Sequence, residues 1–205
     1  MNERSEHWNE IYNKTEDEKL GWFERDFSQT LKLLDLIPNW KESKIFVSGV
    51  GTSGLVDEIL HPNTKLVLND ISSKAIEKLQ LKYNGTNHQM EWLCQDLGKP
   101  IPSNIKDIDI WIDRAVLHFL TEPMSIQQYF QNMNSSLKVG GYAIFAEFSK
   151  SGATKCAGLD VRRYDLQELS KNLPNFECIS HEEYTFINPK GDPRPYIYTL
   201  YRKIK

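Results

Sequence analysis

The residues best placed to do chemistry are a glycine run and the acidic residue that follows it. GVGTSG (49–54) spells G-x-G-x-x-G. It stands between an apolar segment, KIFVSG (44–49), and a stretch with Leu55, Val56, Ile59 and Leu60 at helical spacing. Gly49 permits a tight turn, Gly51 lets a ligand approach the backbone, and the helix start offers free N–H groups. Asp70 ends the next apolar segment, KLVLND (65–70). It lies about 20 residues beyond the loop, the spacing at which an acid reaches ribose hydroxyls. Loop and acid together point to an adenosine-containing ligand. Two plainer readings stay open: the glycines serve packing alone, and Asp70 is a helix N-cap.

A second set lies further along. Asp113 ends the apolar segment IDIWID (108–113), and His118 follows five residues on. A histidine titrates near neutrality, so His118 is a general base, a ligand contact, or a wall residue. Asp113 reads better as a positioning carboxylate than as a base. Glu147 and Ser149 end YAIFAEF (142–148) and its continuation. Beyond them, Tyr164 is a candidate to face substrate, and Arg162 or Arg163 to pair with an anion. Cys156 has no partner at C-x-x-C spacing and reads as an unreactive thiol. Trp22 and Phe23 are candidate lid residues, while Trp8 and Tyr12, four apart, pack a short helix. The five histidines show no metal-ligand spacing, and neither G-x-S-x-G nor a Walker lysine occurs.

The elements that must position these groups alternate. Short apolar segments at 44–49, 65–70, 90–96, 108–113 and 142–148 read as strands. Helical patterns lie between them, one with a cap at Ser72 or Ser73 and one opened by Thr121 and Pro123 and ended by Gly140-Gly141. Two capping boxes are legible, Asp26 with Gln29 and Asp165 with Glu168. Alternation predicts a parallel sheet with helices on both faces. The last two strands, about 176–186 and 196–203, are joined by NPKGDPRP (188–195). That link is too short for a helical crossover, so they form an antiparallel pair. The expected fold is α/β: a doubly wound, mainly parallel seven-stranded sheet closed by a C-terminal antiparallel hairpin. It makes one domain over 1–205, with a lid-like helical segment at 1–40 and a core at 41–205.

Composition agrees. A chain of 205 residues, 40% hydrophobic, can bury a core without staples. With Lys+Arg 25 against Asp+Glu 28, the net charge of −3 implies no broad nucleic-acid surface. No apolar run approaches the roughly 20 residues of a membrane span. MNERSEHWNE has no apolar leader region, and three scattered cysteines suit a reducing, cytoplasmic setting.

Two cofactor classes share the glycine spelling. About 40 residues precede the first strand, and the sheet ends in a hairpin; both disfavour a nicotinamide domain. LKVGGYAIF (137–145) is similar to the L-K-P-G-G turn ahead of the fifth strand in class I S-adenosylmethionine-dependent methyltransferases, with Val139 where proline is usual. The whole chain resembles that family. More narrowly, it resembles a bacterial-type group marked by three stretches: His7-Trp8 with Gly21-Trp22-Phe23, DRAVLHFL (113–120), and KCAGLDVRRY (155–164).

The resemblance implies S-adenosylmethionine as cofactor and the following roles. Gly49, Val50, Gly51 and Ser53 line its methionine and ribose parts. Asp70 holds the ribose hydroxyls, with Asn69 and Ile71 beside the adenine. Asp96 accepts from the adenine amino group between Gln95 and Leu97. Asp113, Arg114 and Ala115 lie under the methionine portion; Trp22, read above as a lid residue, is counted with the cofactor-binding residues. His118, Asp113 and Tyr164 are the catalytic candidates. The acid usual two positions before the first glycine is replaced by Val47. The Asn/Asp-Pro-Pro-aromatic motif of base and amide methylases is absent, since Asp113-Arg114-Ala115 stands there. The implied reaction is in-line methyl transfer to a small-molecule acceptor, with no nucleic-acid, membrane or metal partner. The alternatives are a protein-lysine methyltransferase, a nicotinamide-dependent oxidoreductase, and a cofactor-binding protein without catalysis.

Overall fold

Five apolar segments become parallel strands; four are buried on both faces, and the third in chain order, at the sheet edge, is only partly buried. They are β1 (Lys44–Ser48), β2 (Lys65–Asp70), β3 (Gln89–Cys94), β4 (Ile108–Arg114) and β5 (Leu137–Phe148). The computed structural model describes residues 3–205, leaving Met1 and Asn2 of the N-terminal segment outside it. Successive residues point to opposite faces, as the strand period of two demands. Val47, Leu68 and Ile112 enter one core with Leu33, Ile59 and Tyr198. Their neighbours Phe46, Val67 and Trp111 enter the other with Tyr129, Phe145 and Tyr201.

Helices α1 (Glu3–Lys14), α2 (Ser28–Leu34), α3 (Leu55–Ile59), α4 (Ser73–Lys82), α5 (Pro123–Ser136) and α6 (Leu166–Lys171) flank the sheet. A two-residue ladder, β6 (Lys155–Cys156) with β7 (Leu159–Asp160), forms a small separate hairpin. Strands β8 (Phe176–Ile187) and β9 (Pro193–Lys203) form the predicted antiparallel pair, and β9 also runs antiparallel to β5. The sheet order is β3-β2-β1-β4-β5-β9-β8. The order reverses between β1 and β4, which places a crevice at their carboxyl ends. The register there sets Ser48 opposite Asp113, and Asp113 opposite Phe145.

Three local expectations change in the structure. Helix α5 ends at Ser136, and Gly140-Gly141 lies inside β5. Gly140 has φ 84°, a Cβ on Gly141 would lie 3.0 Å from the Asp109 and Lys138 carbonyls, and the β4–β5 register slips between Ile108 and Ile110. The glycines therefore serve a strand irregularity rather than a helix cap. Asp26 accepts from the Ser28 N–H at 2.8 Å, but α2 starts at Ser28 with Phe27 at its cap, so no capping box forms with Gln29. Helix α4 is capped by the Ser72 hydroxyl, which leaves Asp70 free of that role. The Asp165–Glu168 box forms as expected.

Helix α1 closes the crevice from above. Trp8, Tyr12 and Leu20 pack with Ala75 of α4, against Trp22, Phe23 and Phe119. Asn9 Oδ1 accepts from the Ser72 hydroxyl at 2.8 Å and the Lys74 N–H at 3.2 Å, tying α1 to the start of α4. Among the described residues, all three cysteines are unpaired, and no helix is long and apolar enough to cross a membrane.

Candidate active site

The glycine loop is held by its neighbours rather than by its own short helix. Gly49 and Gly51 take φ 53° and 55°, a region that L side chains enter at a cost. Val50 N–H donates to the Asn69 carbonyl at 2.7 Å, and Gly51 N–H donates to Asp70 Oδ2 at 2.8 Å. Asp70 Oδ1 accepts from Ser72 N–H at 2.8 Å. Burial pushes the Asp70 carboxyl up to about 6, against the pull of these backbone donors. The Asn69 amide donates to the Leu93 and Gln95 carbonyls, 3.0 and 2.9 Å away, and so clamps the end of β2 to β3. Asp96 Oδ1 accepts from Gly98 N–H at 2.9 Å.

Over this loop lies a cavity, with about 1230 Å³ of space free of protein atoms when its mouth is included. Gly49, Val50, Gly51 and Ser53 form its floor, and Asn69, Asp70 and Ile71 one wall. Gln95, Asp96 and Leu97 continue that wall, Arg114 and Ala115 stand opposite, and Trp22 covers it. Residues from the ends of four strands and from the N-terminal arm thus meet in one place.

The catalytic candidates do not meet there. Asp113, His118 and Tyr164 are fully buried behind the cavity and do not line it. Asp113 accepts from the Val116 and Leu117 N–H groups at 2.9 and 3.2 Å, and from the Tyr129 hydroxyl. His118 stacks on Phe148 at 4.7 Å, and its Nδ1 lies 3.0 Å from Glu147 Oε2. Burial lowers the His118 pKa to about 3, so the ring is neutral and sheltered, unsuited to taking a proton from a ligand. Tyr164 packs in the Trp111 core, and burial raises its phenol above the ordinary tyrosine value. Asp113 and Arg114 are adjacent in a strand, so one faces the sheet interior side and the other the cavity. Arg162 and Arg163 also lie off the cavity; Arg163 donates to the Lys150 carbonyl at 2.7 Å.

Several cavity residues escaped the sequence reading of the site, among them Tyr12, Ser48, Glu24 and Tyr196. Tyr12, assigned to packing, brings its hydroxyl within 2.5 Å of where a Gly51 Cβ would stand. Ser48 is buried, lines the cavity and has a hydroxyl without a partner. Tyr196, from the hairpin, completes the far wall. Glu24 Oε2 lies 2.6 Å from Arg114 Nε, with the two side chains only 6% and 12% exposed. The Arg114 guanidinium sits 5.3 Å from the Phe186 ring centroid and 5.4 Å from that of Tyr196. The pair fastens the arm carrying Trp22 and Phe23 to the end of β4. Burial raises the Glu24 carboxyl despite Arg114, while Glu24 holds the guanidinium charged. The aromatic spacing of the arm was visible in sequence; the ion pair, 90 residues apart, carried no local signal.

The donor set fits an adenosyl sulfonium. Asp70 and Asp96 are acceptors for hydroxyl and amino groups, the orphan Ser48 hydroxyl is a spare donor, and aromatic rings stabilise a sulfonium. Among the described residues, no group of three or more His, Cys, Asp or Glu could hold a metal.

Comparison with known proteins agrees with this geometry. Residues 45–141 match the family model described as a methyltransferase domain. No curated protein sequence matches the chain. Solved structures similar to it include an S-adenosylmethionine-dependent methyltransferase from Anabaena variabilis, at TM-score 0.77 and 15% identity over 98% of this chain and 93% of that one. The N-methyltransferase NodS from Bradyrhizobium japonicum, in complex with S-adenosylhomocysteine, superposes at TM-score 0.73 and 12% identity over 97% and 100%. The 1,6-didemethyltoxoflavin N1-methyltransferase of Burkholderia thailandensis, with its acceptor and S-adenosylhomocysteine bound, gives 0.68 and 13% over 99% and 85%. Residues 45–141 therefore match a methyltransferase domain model, and the chain has the fold of these S-adenosylmethionine-dependent methyltransferases.

Proposed function

We propose that the chain transfers the methyl group of S-adenosylmethionine to a small-molecule acceptor by in-line displacement. The observation that carries this reading is the cavity itself, which runs from Asp70 and Asp96 past the glycine loop to Trp22, Glu24, Arg114 and Tyr196. When bound, the cofactor supplies an electrophilic methyl group on a sulfonium. Asp70 would hold the ribose hydroxyls and Asp96 the adenine amino group. Gly51 leaves room at the loop, and the Ser48 hydroxyl is free to bond the ligand. Trp22, Phe23 and helix α1 exclude water, and alignment of donor with acceptor supplies much of the rate. His118 and Tyr164 are too buried to serve as the base, so the acceptor must arrive already nucleophilic. Glu24 is neutralised by Arg114, which leaves no uncompensated acid at the far end for a lysine ammonium; this favours the small molecule over a protein lysine.

Calorimetric titration tests the class. S-adenosylmethionine and S-adenosylhomocysteine should bind and NAD(H) should not; binding of NAD(H) alone would overturn the reading. Asp70→Ala removes a charged acceptor of two hydroxyl bonds and a tie to the loop. It should cost about 1.5–3 kcal/mol of cofactor affinity, roughly 10- to 150-fold. Wild-type affinity should also weaken from pH 7 to pH 5, because the Asp70 acceptor is protonated below about 6. An Asp70→Ala variant that binds normally would contradict the ribose assignment.

A further inference from the structure

The cavity is longer than the row of groups that suits the cofactor. In sheet order it runs from Asp96 after β3 and Asp70 of β2 to the glycine loop after β1. It then continues past Arg114 at the end of β4, and past Cys156 in the small hairpin that follows β5, to Tyr196 of β9. This second half is bordered by rings held in place. Tyr196 is buried and meets Phe148 edge-on at 4.9 Å. Trp22 meets Trp8 edge-on at 5.3 Å and Tyr12 at 6.1 Å. Arg114 touches both sides: its guanidinium is 5.4 Å from the Tyr196 ring centroid, and its Nη1 is 3.5 Å from the Trp22 carbonyl. Its Nη2 is buried and has no hydrogen-bond partner, although the Tyr198 phenol stands near enough to feel its charge. A buried donor without an acceptor is costly, so a ligand that supplies the acceptor is favoured here.

The charges of this half cancel. Glu24 Oε2 lies 2.6 Å from Arg114 Nε, with both side chains nearly buried. Arg4, the other cation of the lining, has interactions of its own. Burial pushes the Cys156 thiol up, so it stays protonated and neutral at pH 7. A charged ligand would lose its water beside a pair that is already satisfied. A cation would also meet Arg114, and an anion would meet Glu24. A neutral ring avoids both conflicts and gains contact with the aromatic walls. We propose that the half of the cavity bordered by Arg114, Cys156 and Tyr196 is the pocket of the methyl acceptor, and that it takes a flat, uncharged ring whose carbonyl oxygen or unprotonated ring nitrogen accepts a hydrogen bond from Arg114 Nη2. The proposal deepens the methyltransferase reading of the cavity and rests on it. It moves Arg114 from the cofactor, where the family resemblance put it, to the acceptor. Arg114 is then a specificity-determining residue: it selects the ring by its acceptor atom, while Glu24 keeps its Nε side occupied.

Titration with four ring probes of similar size tests this, with and without saturating S-adenosylhomocysteine. Carbostyril is a flat, neutral lactam. Indole is flat and neutral but offers no acceptor in the ring plane. Quinaldate is an anion, and naphthylmethylammonium is a cation. Carbostyril should bind about tenfold or more tighter than indole, the ratio expected for one hydrogen bond from a charged donor. Both ions should bind more weakly than carbostyril. Arg114→Lys keeps a cation for Glu24 but loses the planar fork of donors. It should weaken carbostyril by about tenfold and leave the affinity for S-adenosylhomocysteine unchanged. Cys156→Phe fills the same space from a partly exposed position, so it should block carbostyril and also spare S-adenosylhomocysteine. That change lies outside the ion pair and decides the matter if Arg114→Lys folds poorly. S-adenosylhomocysteine titrated alone checks the cofactor reading, so its failure is told apart from failure of the ring pocket. No binding by any probe, equal binding of carbostyril and indole, preference for either ion, or carbostyril affinity untouched by both substitutions would overturn the proposal. So would Arg114→Lys weakening S-adenosylhomocysteine as much as carbostyril, which would return Arg114 to the cofactor.

Discussion

Glu24→Ala should lower folding stability by about 3–5 kcal/mol, the cost of leaving a buried charge without its partner. Arg114 would remain between the Phe186 and Tyr196 rings, with a 3.5 Å contact from its Nη1 to the Trp22 carbonyl in place of a carboxylate. For a chain of 205 residues this is a fall of roughly 6–20 °C in melting temperature. Arg114→Met with Glu24→Ala removes both charges and should recover much of the loss, because a desolvated pair contributes little net stability beyond what an apolar pair would supply. The cycle separates the ion pair from simple packing of the arm. Tryptophan fluorescence gives a second readout, since Trp22 lies two residues from Glu24 and covers the cavity. A single variant within about 1 kcal/mol of wild type would show that the arm is held by its aromatic contacts alone, at the level of an exposed pair.

Gly49→Ala should be nearly as damaging, for a different reason. At φ 53° an alanine enters the left-handed region, and its methyl group would overlap Val116 Cγ2 at 2.0 Å. The backbone and packing costs together come to roughly 2–5 kcal/mol. Valine is stiff at χ1, so it cannot simply swing aside. Gly49→Ala with Val116→Ala should relieve the overlap but not the backbone cost, leaving a loss of about 1–2 kcal/mol attributable to φ. Denaturant unfolding of the two single variants and the double variant measures the coupling. If the losses simply add, the loop and turn are not in contact in solution. Cofactor titration on the same three proteins should show affinity falling with the single Gly49 variant, because Gly49 and Val116 both line the cavity.

Much of this architecture was legible in the chain. The strand segments announce themselves as short apolar runs, and the NPKGDPRP link is too short for anything but a hairpin. Local chemistry announced the Asp165–Glu168 box, while Asp26–Gln29 failed because Phe27 took the cap position. The Gly140-Gly141 pair misled for a related reason. Glycine marks a departure from regular backbone, but a helix end and a strand irregularity make the same demand.

The sequence by itself determined where along the chain the candidate cofactor groups must stand. A G-x-G-x-x-G turn after one strand and an acid at the end of the next are spacings of a few residues within parallel βα units, and such spacings map directly onto strand ends. What only the tertiary structure decided is which side chains turn toward the cavity and which turn away. Arg114 lines it while Asp113, one residue earlier, braces the turn behind it, because successive strand residues point to opposite sides. His118, Glu147 and Tyr164 carry chemically suggestive groups, yet packing encloses them. Tyr12, Glu24 and Tyr196 come from the two ends of the chain and meet the strand ends only in the fold. Their roles depend on contacts across 39 to 90 residues, and no local pattern encodes those distances.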